Sequence, residues 1–211
     1  MIVPLNIVMT YPVRWTKYKV FRDFIQNFYD AVGYECWKDK FHFDYSKKSL
    51  RMWVEDVCFS YEWLLHIGAS TKTANSRNNA GYFGEGFKIA SLCAIRDYGW
   101  DIKMSSANWK LTVVCVEQKI DKSMVYMLAY DVKKKNEEKK SCLTLSNVTA
   151  QEFFYFQKVL SAFYYPENPI IGQKIWEGKE GAVYTRSRAE YDEYLPSTED
   201  FGRKGAVFCA Y

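Results

Sequence analysis

The sequence has little that would bind a structural metal ion. It contains only two histidines, and none of its six cysteines forms a CxxC pair. A structural zinc site needs four Cys or His ligands at short spacings, so no zinc site is predicted. Cys93 and Cys115 lie in apolar runs, where cysteine behaves as a small buried hydrophobe. We therefore expect reduced thiols in a cytoplasmic protein.

Long apolar runs and a signal sequence are also missing. No apolar run approaches the roughly 20 residues that a membrane-spanning helix needs. The first residues, MIVPLNIVMTYPVRW, lack the basic start and the small-residue cleavage site of a signal peptide. We therefore expect no membrane partner. Aromatic residues make up 18% of the chain and charged residues 26%, a balance that predicts a folded globular protein.

Positive charge is in small excess and is concentrated in one run. The formal net charge is +4, and residues 133–140 read KKKNEEKK. A mild local excess that also carries two acids is typical of an exposed loop, so we predict a solvated hairpin tip here. Nucleic-acid binding is not indicated.

Hydrophobic periodicity predicts an α+β fold. Apolar spacings of three and four predict helices over about 17–34, 61–68, 87–98 and 149–165. Alternating stretches predict a hairpin over 41–57, a four-strand antiparallel meander over 100–148, and strands at 181–186 and 205–211. This order predicts a two-layer sandwich with helices on one face of a mixed, mostly antiparallel sheet. We expect one domain over 1–211, and its apolar end is consistent with a piece of a longer protein.

The first predicted helix carries a polar line opposite its aromatic face. Asp23, Asn27 and Asp30 stand at i, i+4 and i+7, and so share one side of the helix. The simplest interpretation is the solvated side of an amphipathic helix. The alternative is a site, because an amide oxygen and a carboxylate can bind a hard cation and position a water molecule.

Two further features carry possible chemistry. Asp56 ends a predicted strand, where it is either an exposed edge acid or an acceptor for a bound amine. Residues 78–92 read NNAGYFGEGFKIASL, with glycines at Gly81, Gly84 and Gly86 before a helix. The spacing matches neither a Walker A loop nor a dinucleotide fingerprint. Glycines before a helix N-terminus can still let backbone N–H groups approach an anion.

Taken in order, these features resemble the GHKL ATPases. That group comprises the ATP-binding domains of gyrase, heat-shock chaperones of the Hsp90 type, histidine kinases and mismatch-repair proteins, together with the microrchidia ATPases. FRDFIQNFYDA is similar to the family's ELxxNAxDA box, and GYFGEGFK is similar to its GxxGxGxK glycine box. The resemblance covers about residues 15–148 and implies the Bergerat sandwich. Residues 149–211 add a helix and strands beyond it.

The resemblance implies ATP and Mg²⁺ as cofactors and assigns roles to individual residues. Asp23 would activate the attacking water, Asn27 would supply an oxygen to Mg²⁺, and Asp56 would accept from the adenine amine. Asp30 and Ala31 would line the base and ribose side. The remaining residues implied near the phosphates are Lys72, Gly81, Phe83, Gly84, Glu85, Gly86, Phe87 and Lys88.

The sequence departs from the family pattern in two places. Asp23 stands where the family usually has Glu, which is one methylene longer. The family's DxGxG reads Asp56-Val57-Cys58-Phe59-Ser60, so both glycines are missing. The family also has a hydroxyl on a late strand beside the adenine site, and Thr144 and Cys142 are both candidates for that position.

These observations leave three functions open. The first is a slow ATPase whose nucleotide-gated lid, residues 70–80, acts as a switch read by another domain, a partner or a second copy in a homodimer. The second is nucleotide binding without hydrolysis. The third is an interaction module with an inactive pocket. A phosphotransferase is disfavoured because neither His42 nor His66 lies in a helix suited to accept phosphate.

Overall fold

A computed structural model describes residues 1–65, 85–168, 171–178, 181–186 and 206–210, the last range as backbone only. The helices are α1 (Lys17–Val32), α2 (Trp37–Lys40), a 3₁₀ turn (Tyr61–Leu64), α3 (Gly86–Tyr98) and α4 (Ala150–Ser161). The strands are β1 (Ile2–Val8), β2 (Phe41–Ser46), β3 (Ser49–Glu55), β4 (Asp101–Ile120), β5 (Ser123–Ser146), β6 (Ile171–Gly178), β7 (Gly181–Arg186) and β8 (Ala206–Ala210).

The main sheet is built around the long strand β5. One edge of β5 pairs with β4 along its length, while the other edge pairs first with β1 and then with β3. β2 completes the sheet beyond β3. Every pairing among the described strands is antiparallel, so the parallel component that a mixed sheet would need is not seen in them.

The hairpin of β2 and β3 turns where the sequence predicted it. Lys47 and Lys48 both have positive φ, 47° and 62°. Two consecutive residues of positive φ make the tight turn whose twist matches that of the flanking strands. The hairpin brings Asp56 to the end of β3, one residue beyond the strand.

The predicted four-strand meander is wrong, because β4 and β5 are each one continuous strand. Their register shifts between Ser106 and Trp109, and Ala107 there has a φ of 46°. Ser106 and Trp109 pair with Ser141 and Lys134, so the extra residues of the bulge belong to the lysine-rich run 133–140, which lies inside β5 and not at a hairpin tip. A bulge leaves extra residues outside the regular ladder, and so the run is polar although it belongs to a strand.

The predicted α+β architecture is confirmed: the helices pack against one face of the sheet. Alternate strand residues, including Leu50, Met52, Leu143 and Leu145, join one core with the buried side of α1. Phe21 of α1 stacks on Trp100 with ring centroids 4.6 Å apart. The position of α1 is therefore set by its aromatic face, and its polar line points away from that core.

The helix ends follow local sequence signals. Thr149 and Glu152 form a capping box at the start of α4, as the cap candidate Thr149 predicted. Gly99 ends α3 in the left-handed conformation, with φ of 69°. Arg96, in the last turn of α3, donates to the carbonyls of Tyr11 and Val13 at 2.6 Å each and so fixes the segment before α1.

A second, smaller sheet follows α4. β7 pairs with β6 on one side and with β8 on the other, and Tyr184 packs against Tyr164 from the end of the α4 region. Among the described residues, no helix has the length and apolar character required to span a bilayer.

Candidate functional site

The polar line of α1 exists as predicted. Asp23 and Asp30 are half-buried, Asn27 is exposed, and Ala31 beside them is exposed. The amide nitrogen of Asn27 donates to the carbonyl of Asp23 at 2.9 Å, so its oxygen is the atom presented to a cation. Asp30 accepts from the amide of Gln26 at 2.6 Å.

The start of α3 lies directly against this line. A Cβ built on Gly86 would lie 2.5 Å from Oδ1 of Asp23 and 2.7 Å from its Oδ2. The carboxylate of α1 therefore touches the first residue of α3, although the two are far apart in the sequence. A helix N-terminus carries partial positive charge and free N–H groups, which favour an anionic neighbour.

Of the two residues that flank Gly86, Glu85 is exposed to solvent and Phe87 is buried in the core. Glu85 is the exposed N-cap residue, and its side chain makes no capping hydrogen bond. Phe87 is buried, with its ring 5.6 Å from that of Phe24 and 6.3 Å from that of Tyr130. This packing fixes α3 against α1 and β5, and therefore fixes the position of Gly86 relative to Asp23.

Lys88 lies inside the protein and not at its surface. Its side chain is 1% exposed, and burial lowers its pKa, while the nearby Glu85 acts in the opposite direction. Burial disfavours the charged form of an amine because the interior solvates it less well than water does. The sequence predicted a lysine near bound phosphates and did not predict this burial.

Asp56 follows β3 in a left-handed conformation. Its φ is 59°, its side chain is exposed, and its backbone N–H donates to the carbonyl of Lys139 at 2.8 Å. Non-glycine residues adopt this conformation uncommonly, and Asp is among those that tolerate it best. The conformation turns the chain away from β3, so the segment that follows needs other contacts to hold it.

Two buried serines supply those contacts. Phe59 N–H donates to Ser106 Oγ at 3.0 Å, the Ser106 and Ser141 hydroxyls lie 2.8 Å apart, and Ser141 donates to the carbonyl of Val57 at 2.6 Å. Since each hydroxyl has one proton, Ser106 must donate to Ser141. A directed hydrogen-bond chain thus runs from Phe59 through both serines to Val57, in the segment where the glycines are missing.

The hydroxyl beside this segment is Ser141, not Thr144 or Cys142. Leu143 and Leu145 face the helices, and residues two apart in a strand share a face, so Ser141 faces the same side. Cys142 lies on the other face, where its sulfur is 3.3 Å from Nε of Arg51. The alternation of buried leucines could have identified Ser141 from the sequence.

In the structure, Asp23 lies beside both Asn27 and Gly86. The segment after Asp56 is held elsewhere, by the hydrogen bonds of Ser106 and Ser141. The predicted residues Lys72, Gly81, Phe83 and Gly84 lie outside the described residues, as do the predicted lid and the end of the predicted helix at 61–68. Within the described ranges, no group of three or more His, Cys, Asp or Glu side chains could hold a metal ion without a ligand.

The donor set of α1 nevertheless fits Mg²⁺ bound together with a phosphate ligand. Mg²⁺ is usually held by one or two carboxylates plus substrate phosphates and waters, and not by an all-protein cage. Asn27 would supply an amide oxygen to such a cation, and the Asp23 carboxylate lies one turn away on the same side of α1. Comparison with known proteins adds no relative: the chain matches none of the known family models, and no curated protein is significantly similar to it.

Proposed function

We propose that the chain is a Mg²⁺-dependent ATP-binding domain and a slow ATPase. The observation that carries this proposal is the contact between the Asp23 carboxylate and Gly86 at the start of α3. It joins a carboxylate, the Asn27 amide and a helix N-terminus in one place, and these are groups suited to a phosphate ligand with its cation. The order of the sequence motifs supplies the second support.

In this proposal each residue has a distinct task. Asn27 presents its amide oxygen to the cation, and the N-terminus of α3 binds phosphate oxygens through its N–H groups. Asp23 accepts a proton from the attacking water, which requires the carboxylate to lie within about 3 Å of it. Bound Mg²⁺ would neutralise the phosphate charge. Asp56, an acceptor only, would bind the adenine amine.

Binding without hydrolysis is the second candidate, and one observation favours it. The Oδ2 atom of Asp23 is shielded from solvent, whereas a general base must reach a water molecule. In either case, nucleotide binding would act as a switch through the predicted lid, and another domain or protein would respond to it.

Thermal unfolding with and without Mg·ATP separates these candidates. A ligand at about 100 times its Kd stabilises the folded state by about 2.7 kcal/mol, which for a chain of this size raises Tm by about 5–10 °C. Phosphate release is then measured on the same preparation. Binding with release supports the ATPase, binding without release supports the second candidate, and no shift with any adenine nucleotide refutes both.

Single substitutions test the roles proposed for Asp23 and Asp56. Asp23→Asn should abolish phosphate release and leave most of the Mg·ATP shift, because it keeps the shape of the side chain and removes the base. Asp56→Asn should weaken binding, since an amide is a poorer acceptor for the adenine amine. Asp44→Asn, an exposed carboxylate on β2, is the matched control and should change neither. Unchanged affinity in Asp56→Asn would refute the adenine assignment.

A further inference from the structure

Gly86 is a glycine in the first turn of a helix, and its backbone does not require one. Of the described glycines, only Gly33 and Gly99 have positive φ. A residue with helical φ is better served by alanine, which has the higher helix propensity. The reason for a glycine at this position must therefore lie in what surrounds it.

The surrounding group is the carboxylate of Asp23. A Cβ at position 86 would lie 2.5 Å from its Oδ1, 2.7 Å from its Oδ2 and 2.9 Å from its Cγ. Contacts under 3.0 Å essentially never occur for real Cβ atoms, so any side chain at 86 must displace the carboxylate or separate the two helices.

Of these two movements, turning the carboxylate is the easier, because it is the end of a flexible side chain. Phe87, the next residue of α3, is 6% exposed and packs between Phe24 of α1 and Tyr130 of β5. Separating the helices would open this aromatic contact. Helical side chains also have few allowed rotamers, so Asp23 has few alternative directions on the surface of α1.

We propose that Gly86 is a positioning residue for Asp23, and that the short acid and the glycine form a matched pair. The two helices approach so closely at this point that the carboxylate of an aspartate fills the space over Gly86. A glutamate, one methylene longer, does not fit in the same direction. Aspartate is therefore the acid that fits between α1 and α3, where a glutamate would be too long. The catalytic consequence rests on the proposed function, whereas the steric match does not.

The steric match is tested by unfolding in urea without nucleotide. Gly86→Ala is introduced into the wild type, into Asp23→Asn and into Asp23→Ala. Asparagine has the size of aspartate, so Gly86→Ala should lower the folding equilibrium constant by about two- to tenfold in the first two backgrounds, the cost of a side chain forced away from its preferred rotamer. In Asp23→Ala the three atoms nearest to an added Cβ are removed, and the same change should be neutral or stabilising.

A second glycine provides the control. Gly99 has a φ of 69°, and no atom of the described residues lies within 4 Å of an added Cβ, so Gly99→Ala should cost stability through backbone strain, and by the same factor in all three backgrounds. If Gly86→Ala costs the same factor in all three as well, or stabilises the wild type, the match between Gly86 and Asp23 is refuted.

Phosphate release tests the catalytic consequence. Asp23→Glu restores the acid usual in the family, and should nevertheless lower the rate constant of release at saturating Mg·ATP at least tenfold. Faster release in Asp23→Glu would overturn the inference that helix spacing selects aspartate. If the wild type itself releases no phosphate, the proposed ATPase fails, and the unfolding measurements alone still decide whether Gly86 positions Asp23.

Discussion

Replacing Ser141 with alanine should destabilise the protein more than any other removal of a single hydroxyl from β5. Ser141 and Ser106 are both 0% exposed. Ser141 donates to the carbonyl of Val57 at 2.6 Å and accepts from Ser106 at 2.8 Å. The alanine variant loses both bonds, and leaves the Val57 carbonyl and the Ser106 hydroxyl without them in a place where water has little access.

The expected loss in the free energy of unfolding is about 2–3 kcal/mol. A typical hydrogen bond contributes about 1 kcal/mol net, and a buried group left without a partner costs about 1–3 kcal/mol. For a chain of this size the corresponding fall in Tm is about 4–12 °C. Urea unfolding with linear extrapolation measures the change directly.

Thr144→Ala is the matched control because Thr144 lies on the opposite face of the same strand and is half-buried. It should cost about 0.5 kcal/mol or less. The double variant Ser106→Ala with Ser141→Ala should cost less than the sum of the single variants, because both break the bond between the two serines. A cost for Ser141→Ala no larger than that for Thr144→Ala would refute the hydrogen-bond chain as the anchor of residues 57–59.

Two further predictions concern the side chains of Glu152 and Tyr130. Burial raises the pKa of Glu152, but hydrogen bonds from Lys17 and Thr149 outweigh it and hold the pKa below its ordinary value. Such a carboxylate stabilises the fold above about pH 4.3 and loses that contribution as the pH falls through its lower folded-state pKa. The stability advantage of the wild type over Glu152→Gln in urea should therefore shrink between about pH 5 and about pH 2, and a constant difference would contradict this. Within the part of the chain that the structure describes, the buried Tyr130 hydroxyl has no hydrogen-bond partner, so Tyr130→Phe should keep or raise Tm, by up to about 4 °C for each kcal/mol gained. Tyr45→Phe, which removes a hydroxyl that donates at 2.9 Å, should lower Tm, and equal effects of the two variants would contradict the assignment.

Elements with a clear difference between two faces were predictable from the sequence alone. α1 and α4 each have an apolar side at helical spacing, and α4 also begins at a recognisable cap. The hairpin of β2 and β3 alternates cleanly, and it begins and ends close to the predicted positions. In these segments the positions that the local pattern marks as apolar are also the positions that the tertiary structure buries.

Other elements were missed because their residues do not show which face is buried. β1 buries Leu5 and Ile7, but its exposed positions include Ile2 and Pro4, so its sequence does not alternate between apolar and polar residues. β6 is exposed along most of its length. β4 and β5 were each divided in two because a bulge reverses which residues face the core, and a polar run at that bulge resembles a loop.

Some features of the candidate site could likewise be predicted from the sequence, and others could not. Ser141 could have been found by continuing the alternation of Leu143 and Leu145 back along β5. The contact between Asp23 and Gly86 could not, because it depends on the distance between two helices, which no local pattern records. Lys88 is buried for the same reason: its position follows from how α3 docks and not from its own chemistry.

Three unusual features occur together where α1 meets α3. Gly86 is a glycine in the first turn of a helix, Lys88 is 1% exposed with a pKa lowered by burial, and the Asp23 carboxylate lies against Gly86. A helix favours alanine over glycine, and burial disfavours the charged form of lysine. Residues that break such rules are expected at functional sites, where activity offsets lost stability. Their concentration where α1 meets α3 marks this point as the one at which the proposed site is best tested.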